Sequence, residues 1–340
     1  MKAIRVRNIL VMYKMVFFVA IILMVACSES DLTSSDPAVK AIPLHVSSGI
    51  AGLTRVTGTS WESGDKIGVF TTEHDNTTTS TKSGSVDDAN ISYQIDATAD
   101  GYEDATAGSL TNAKGFVPES SVIYLPFDGS PVDVYAYYPR VAGIGANGVM
   151  GLDVNSTRQA TPSVIDLLTA STPSTTTAPI SALHPSAALL FSHRLSKITI
   201  NIKAGTGYSD SEILNQTVIT LIGTPITANY NLYTKSFSDF SAATNIVAHE
   251  VTSVPTGYLE THEIIVLPNE TGNEEAAGRS LSFKVGDTTN GYYTYTIPAT
   301  KKFEQGKNTI YNITLSPTGL NVTAAIVAWS DVTAVSQTLK

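Results

Sequence analysis

The chain has one cysteine, Cys27, in 340 residues. A lone thiol excludes an intramolecular disulfide and any zinc site built on cysteine pairs. Charge is scarce as well: charged residues make up 15% of the chain, and 21 Lys+Arg face 30 Asp+Glu for a formal net charge of −9. The densest basic cluster, Lys301, Lys302 and Lys307, reads as a solvated strand edge and not as a phosphate track. Nucleic acid and anionic membrane surfaces are therefore poor partner classes. Long Ala/Glu/Lys/Leu runs are missing too, whereas Thr and Ser are abundant and 15 Tyr outnumber 10 Phe. That balance predicts an all-β chain, and 42% hydrophobic residues suffice for a sizeable core.

No apolar run is long enough to span a bilayer. Met15 to Val25, "MVFFVAIILMV", follows the basic residues Lys2, Arg5, Arg7 and Lys14. Its length suits the hydrophobic region of a signal peptide and falls short of the roughly 20 residues a membrane helix needs. Residues 1–26 are expected to be an export signal. Cys27 stands directly after Ala26, in a context resembling a bacterial lipobox, where cleavage precedes the cysteine and lipid is attached to it. The expectation is a lipoprotein held at the outer membrane through Cys27, since several acyl chains anchor stably where one does not.

"SESDLTSS" (28–35) then reads as a flexible tether. It leads into a predicted strand with Ile42, Leu44 and Val46 on one face and Pro43, His45 and Ser47 on the other; Pro43 points to a sheet edge. Arg55 follows, alone in the Gly/Ser/Thr-rich "SSGIAGLTRVTGTS". Beyond it, strands are predicted at 66–72, 89–95, 121–127 and 132–139, with a helical turn within 163–171. A second series covers 187–205, 216–223, 228–234, 262–268, 281–287, 292–298 and 309–315. Short strands separated by turn chemistry predict two β-sandwiches in tandem, 56–186 and 187–340. The last stretch places Val322, Ala324, Ile326 and Ala328 on one face, with Trp329 breaking the alternation.

Motifs for chemistry are thin. "GIGANG" carries Gly143, Gly145 and Gly148 in G-x-G-x-x-G spacing, but "VMGLDVNS" follows where a dinucleotide site needs a helix, so a glycine-rich loop is expected. None of the six histidines has metal-pair spacing and no G-x-S-x-G elbow occurs. No cofactor, no metal and no catalytic residue is expected. In "WESGDKIGVF" (61–70), Trp61, Ile67 and Val69 are read as core beneath a turn; sugar stacking on an exposed Trp61 is the competing reading.

"WESGDKIGVF" after "TRVT", then "VDVYAYYP", "DLLTA", "FSHRLSKITI", "FEQGKNTIYNITL" and the late Trp329 together resemble the fimbrillin family of Bacteroidetes, in family order from about Thr54 to the C-terminus. The resemblance implies two transthyretin-like β-sandwich domains, with the second starting near "LLFSHRLSKI". It implies a non-enzymatic subunit of cell-surface fimbriae, exported as a lipoprotein and supporting adhesion. It also implies that an arginine-specific protease cuts between Arg55 and Val56, that the lipidated segment 27–55 leaves with the strand bearing Ile42, Leu44 and Val46, and that other fimbrial subunits fill the vacated groove. The C-terminal strand with Val322, Ala324, Ile326, Ala328 and Trp329 is the expected donor, because its alternation matches the strand it would replace. A lipid-retaining anchor subunit and a monomeric glycan-binding lipoprotein are the alternatives.

Overall fold

Alternating inward residues close the first half of the chain on itself. The computed structural model describes residues 41–50, 61–74, 86–96, 114–172, 178–214, 216–269, 278–286 and 292–329. Among these, β1 (His45–Ile50), β2 (Lys66–Glu73), β3 (Val86–Ile95), β4 (Lys114–Pro118), β5 (Val132–Tyr138), β7 (Leu168–Thr172) and β8 (Ser186–His193) form a closed barrel. Their order is β1-β4-β3-β2-β5-β7-β8, so β1 is held on both sides. Val46, Ile67, Val69, Phe116, Leu189 and Phe191 fill the interior. A β-strand sends successive side chains to opposite faces. β5 shows why some strands are nonetheless apolar throughout: Val132, Val134 and Ala136 point into the barrel, while Tyr135 and Tyr137 point out into a second core.

That second core lies between two sheets. One has the order β14-β15-β9-β18-β19, from β9 (Ser196–Ala204), β14 (His249–Val251), β15 (Glu260–Val266), β18 (Lys307–Ser316) and β19 (Gly319–Ala328). The other is β13-β10-β16-β17, from β10 (Thr217–Thr224), β13 (Thr244–Val247), β16 (Ser280–Val285) and β17 (Tyr292–Thr296). Ile198, Ile200 and Ile202 of β9, Leu221 of β10 and Phe283 of β16 meet there. The opposite face of β9 is buried as well and satisfies itself: Lys197 pairs with Glu263 at 2.6 Å, and the Asn201 amide donates to Asn312 at 2.9 Å. Buried polar groups are tolerated when paired in this way.

The described residues from Ile42 onward belong to one compact unit. A three-stranded sheet joins its halves: β6 (Val149–Asp153), which follows β5, pairs with β11 (Thr227–Asn231), and β11 with β12 (Ser236–Ser238). Phe70 and Tyr135 on the barrel's outer face pack on Tyr233, with ring centroids 6.2 and 5.0 Å away. Gln159 adds a buried polar tie. Its Nε2 donates to the carbonyls of Val154 (2.7 Å) and Ile265 (3.0 Å), and its Oε1 accepts from the Ile265 amide (2.8 Å).

The seven strands of the first body close into a ring, because β1 bonds to both β4 and β8. β8 belongs to that ring, and the chain passes to the second body at Arg194 and Leu195. Two expectations change. Residues 121–127 form no strand. Ile123 and Leu125 do face inward, but the segment makes one isolated bridge, Pro43 to Tyr124, and leaves Phe127 85% exposed. Pro43 does not mark an edge: it precedes the doubly paired stretch, so its missing N–H breaks no ladder. The helical turn within 163–171 appears as a short 3-10 turn, Pro162–Val164, leading into β7.

Candidate functional site: the strand that closes the barrel

β1 runs parallel to β8 over six partners, from His45 opposite Ser186 to Ile50 opposite Phe191. Against β4 it is antiparallel, with Val46 opposite Phe116 and Ser47 opposite Gly115. The chain ahead of it is held too. The Leu44 amide donates to the Ile123 carbonyl at 2.9 Å, the Leu125 amide to the Ile42 carbonyl at 2.9 Å, and the His45 amide to the Pro185 carbonyl at 2.8 Å. Backbone bonds of this kind fix the register, and with it which side chains face inward.

Leu44 and Val46 are buried and Ile42 packs against the same core. The seat they fill is walled by aromatics: Trp61 stands edge-on to Phe116 (5.1 Å), Tyr138 (5.4 Å) and Phe191 (5.2 Å). Edge-to-face packing at these distances suits the ring quadrupoles. Trp61 is thus interior, as its place above Ile67 and Val69 predicts, and the reading of Trp61 as an exposed sugar platform is corrected: its ring faces other rings and not solvent. Two buried polar atoms of this seat have no hydrogen-bond partner among the described residues, the Ser48 hydroxyl and the Trp61 indole Nε1, each a local cost of about 1–3 kcal/mol.

The opposite end of the chain forms β19, the outer strand of the five-stranded sheet, paired with β18 along its whole length from Ser316 opposite Gly319 to Lys307 opposite Ala328. Val322 and Ala324 pack against the core, whereas Ile326 is 43% exposed and Ala328 is exposed. Trp329 turns inward. It is buried, its amide donates to the Gly306 carbonyl at 2.9 Å, and its ring stacks on His193. His193 in turn bonds Asp166 through Nδ1 at 2.9 Å, both side chains being buried.

The structure therefore brings Ile42, Leu44 and Val46 together in one seat, and places Val322, Ala324, Ile326 and Ala328 on a separate sheet with Trp329 just beyond its end. Cys27, Arg55 and Val56 lie outside the described residues. Sequence reasoning missed the seat's other wall, Phe116 on β4 and Leu189 and Phe191 on β8; the alternation Ala187, Leu189, Phe191 in "SAALLFSH" was its available signal. Gly143, Gly145 and Gly148 lie in the turns between β5 and β6, with a strand and not a helix after them. Among the described residues no three His, Cys, Asp or Glu side chains converge as metal ligands, and no helix is long and apolar enough to cross a membrane.

The fold and the seat can be set beside known proteins. The chain is 29% identical over 317 residues to Fim1C, a proposed fimbrium subunit of Bacteroides uniformis, covering 92% of each chain. The crystal structure of a proposed cell adhesion protein from Bacteroides uniformis superposes with a TM-score of 0.63 at 26% identity, over 86% of this chain and 100% of that one. A proposed cell adhesion protein from Bacteroides ovatus shares the fold at a TM-score of 0.59 and 22% identity, over 85% of this chain and 98% of its own. The model of the fimbrillin-like family matches residues 54–329, from the segment of Arg55 through Trp329, and the chain belongs to that family.

Proposed function

We propose that the protein is a structural subunit of cell-surface fimbriae that polymerises by strand exchange. The observation carrying this reading is the position of β1: it closes the barrel, and in the sequence Arg55 falls between it and β2. A cut between Arg55 and Val56 leaves β1 attached by ladder bonds and by the burial of Leu44 and Val46 alone. Each such side chain is worth about 1.5–3 kcal/mol, so an intermolecular strand of similar alternation can compete for the seat. The donor is the C-terminal strand. Its face is incompletely used at home, with Ile326 and Ala328 exposed, and head-to-tail donation yields filaments because it does not close.

Before the cut, Cys27 carries lipid and holds the precursor at the outer membrane; an arginine-specific protease then releases the body into the fimbrium. The two bodies correspond to two transthyretin-like domains whose first member is closed by its own leading strand. The test is limited digestion of the signal-less protein with an arginine-specific protease, followed by intact mass and electron microscopy. A single cut after Arg55 with filaments appearing is expected, and Arg55→Ala should give neither. Filaments from uncut Arg55→Ala protein, or a cut protein that stays monomeric, would overturn the reading.

A further inference from the structure

The two sheets of the second body do not close on the side where β17 and β19 run. These are the outer strands of their sheets, they approach one another, and a groove of about 530 Å³ opens between them. Its lining is Tyr292, Tyr293, Thr294 and Tyr295 on one strand and Gly319, Leu320 and Val322 on the other. Tyr293 and Tyr295 turn toward the core side of this outer strand, Tyr292 and Thr294 alternate to its other side and meet the groove at the rim, and no charged side chain stands among the described lining residues. Lys284, opposite Tyr292 in the ladder, stands outside it.

The rings are held before any ligand arrives. The Tyr293 hydroxyl meets that of Tyr208 at 2.6 Å, and Tyr295 packs edge-on to Tyr311 at 5.8 Å. Burial, and then the Tyr208 hydroxyl, push Tyr293 up to about 12. Tyr292 remains 62% exposed at the rim. Fixed rings lose little freedom on binding, and the volume falls within the range of small-molecule sites, roughly 300–1,000 Å³.

We propose that this groove binds a neutral saccharide. The apolar C–H face of a sugar ring packs on a tyrosine ring, and its hydroxyls exchange hydrogen bonds with the phenols. An anionic ligand finds no cation in the lining, and a purely apolar one would leave the hydroxyls unpaired. The inference goes beyond strand exchange and does not depend on it. Because Leu320 and Val322 form one wall, the groove exists only while β19 stays in its own sheet.

The uncut full chain should be applied to an array of neutral, sialylated and sulfated oligosaccharides. Retention on neutral members is expected, weakened at least tenfold by Tyr292→Ala. Saturation-transfer NMR on the unaltered protein, irradiating aromatic protons, should mark sugar ring C–H protons, which keeps the test decisive should the variant fold poorly. Failure of every neutral member to bind, binding confined to acidic members, binding unchanged by Tyr292→Ala in a folded variant, or no aromatic transfer would each overturn the proposal. Because the protein is uncut, such failure leaves the digestion experiment unaffected.

Discussion

The indole of Trp329 lies flat on the imidazole of His193, with ring centroids 4.2 Å apart and planes 10° from parallel. His193 ends the last barrel strand and Trp329 follows the last strand of the second body, so the stack pins the chain's final strand at the crossover between the halves. Trp329→Ala removes the stack and leaves a cavity, for an expected loss of about 3–5 kcal/mol in urea unfolding. Amide exchange near the end of β19 should rise with it. A loss under about 1 kcal/mol would show that the stack holds nothing.

Ser48 yields a prediction of opposite sign. Removing a buried hydroxyl that lacks a partner should help: Ser48→Ala is expected to stabilise the uncut protein by about 1–2 kcal/mol. On the strand-exchange reading, the same change should slow filament growth after cleavage, since the resident strand becomes harder to displace. Lower stability in the melting curve would mean that the hydroxyl is satisfied after all.

Gln159 is expected to resist even a near-isosteric change. Gln159→Glu replaces the nitrogen that faces two carbonyls with an oxygen and buries a charge. Several kcal/mol should be lost at neutral pH. Part of the loss should return as pH falls and the new carboxyl protonates, which paired denaturation curves at pH 7 and pH 4.5 would register.

At high pH the tyrosines set the limit. Burial pushes Tyr93, in the barrel core, and Tyr135 and Tyr233, between the halves, up to about 12 from the ordinary 10. The fold favours the neutral phenol, so their contribution is complete below pH 10 and is lost as pH rises towards 12. Melting temperature should fall over that interval, with phenolate absorbance appearing together with unfolding. Tyr93→Phe should flatten the fall.

Much of this was legible in the chain. β2, β5, β9 and β18 lie where the sequence places strands, and Trp61 lies in the core its neighbours imply. What escaped was closure. The alternation of Ile42, Leu44 and Val46 states which side chains are buried but not how many neighbours the strand has, and β4 is a five-residue strand containing Gly115 and Pro118, both poor strand signals. Residues 121–127 misled for a related reason: Ile123 and Leu125 alternate correctly, but their backbone serves the residues ahead of β1 instead of extending a ladder. The groove of Tyr292, Tyr293 and Tyr295 depends on two outer strands meeting from different sheets, a juxtaposition local pattern does not encode.

β1 travels with one neighbour and against the other. The two kinds of ladder space their bonds differently, so a strand laid in backwards would have to rebuild both at once. The seat therefore has a compass direction. A row of subunits joined through it would all point the same way, and the two tips of the row would be chemically unlike: one offering an empty seat, the other an unused strand. Such a thread can be extended at one tip and stopped at the other by a single subunit that lacks what its neighbour needs.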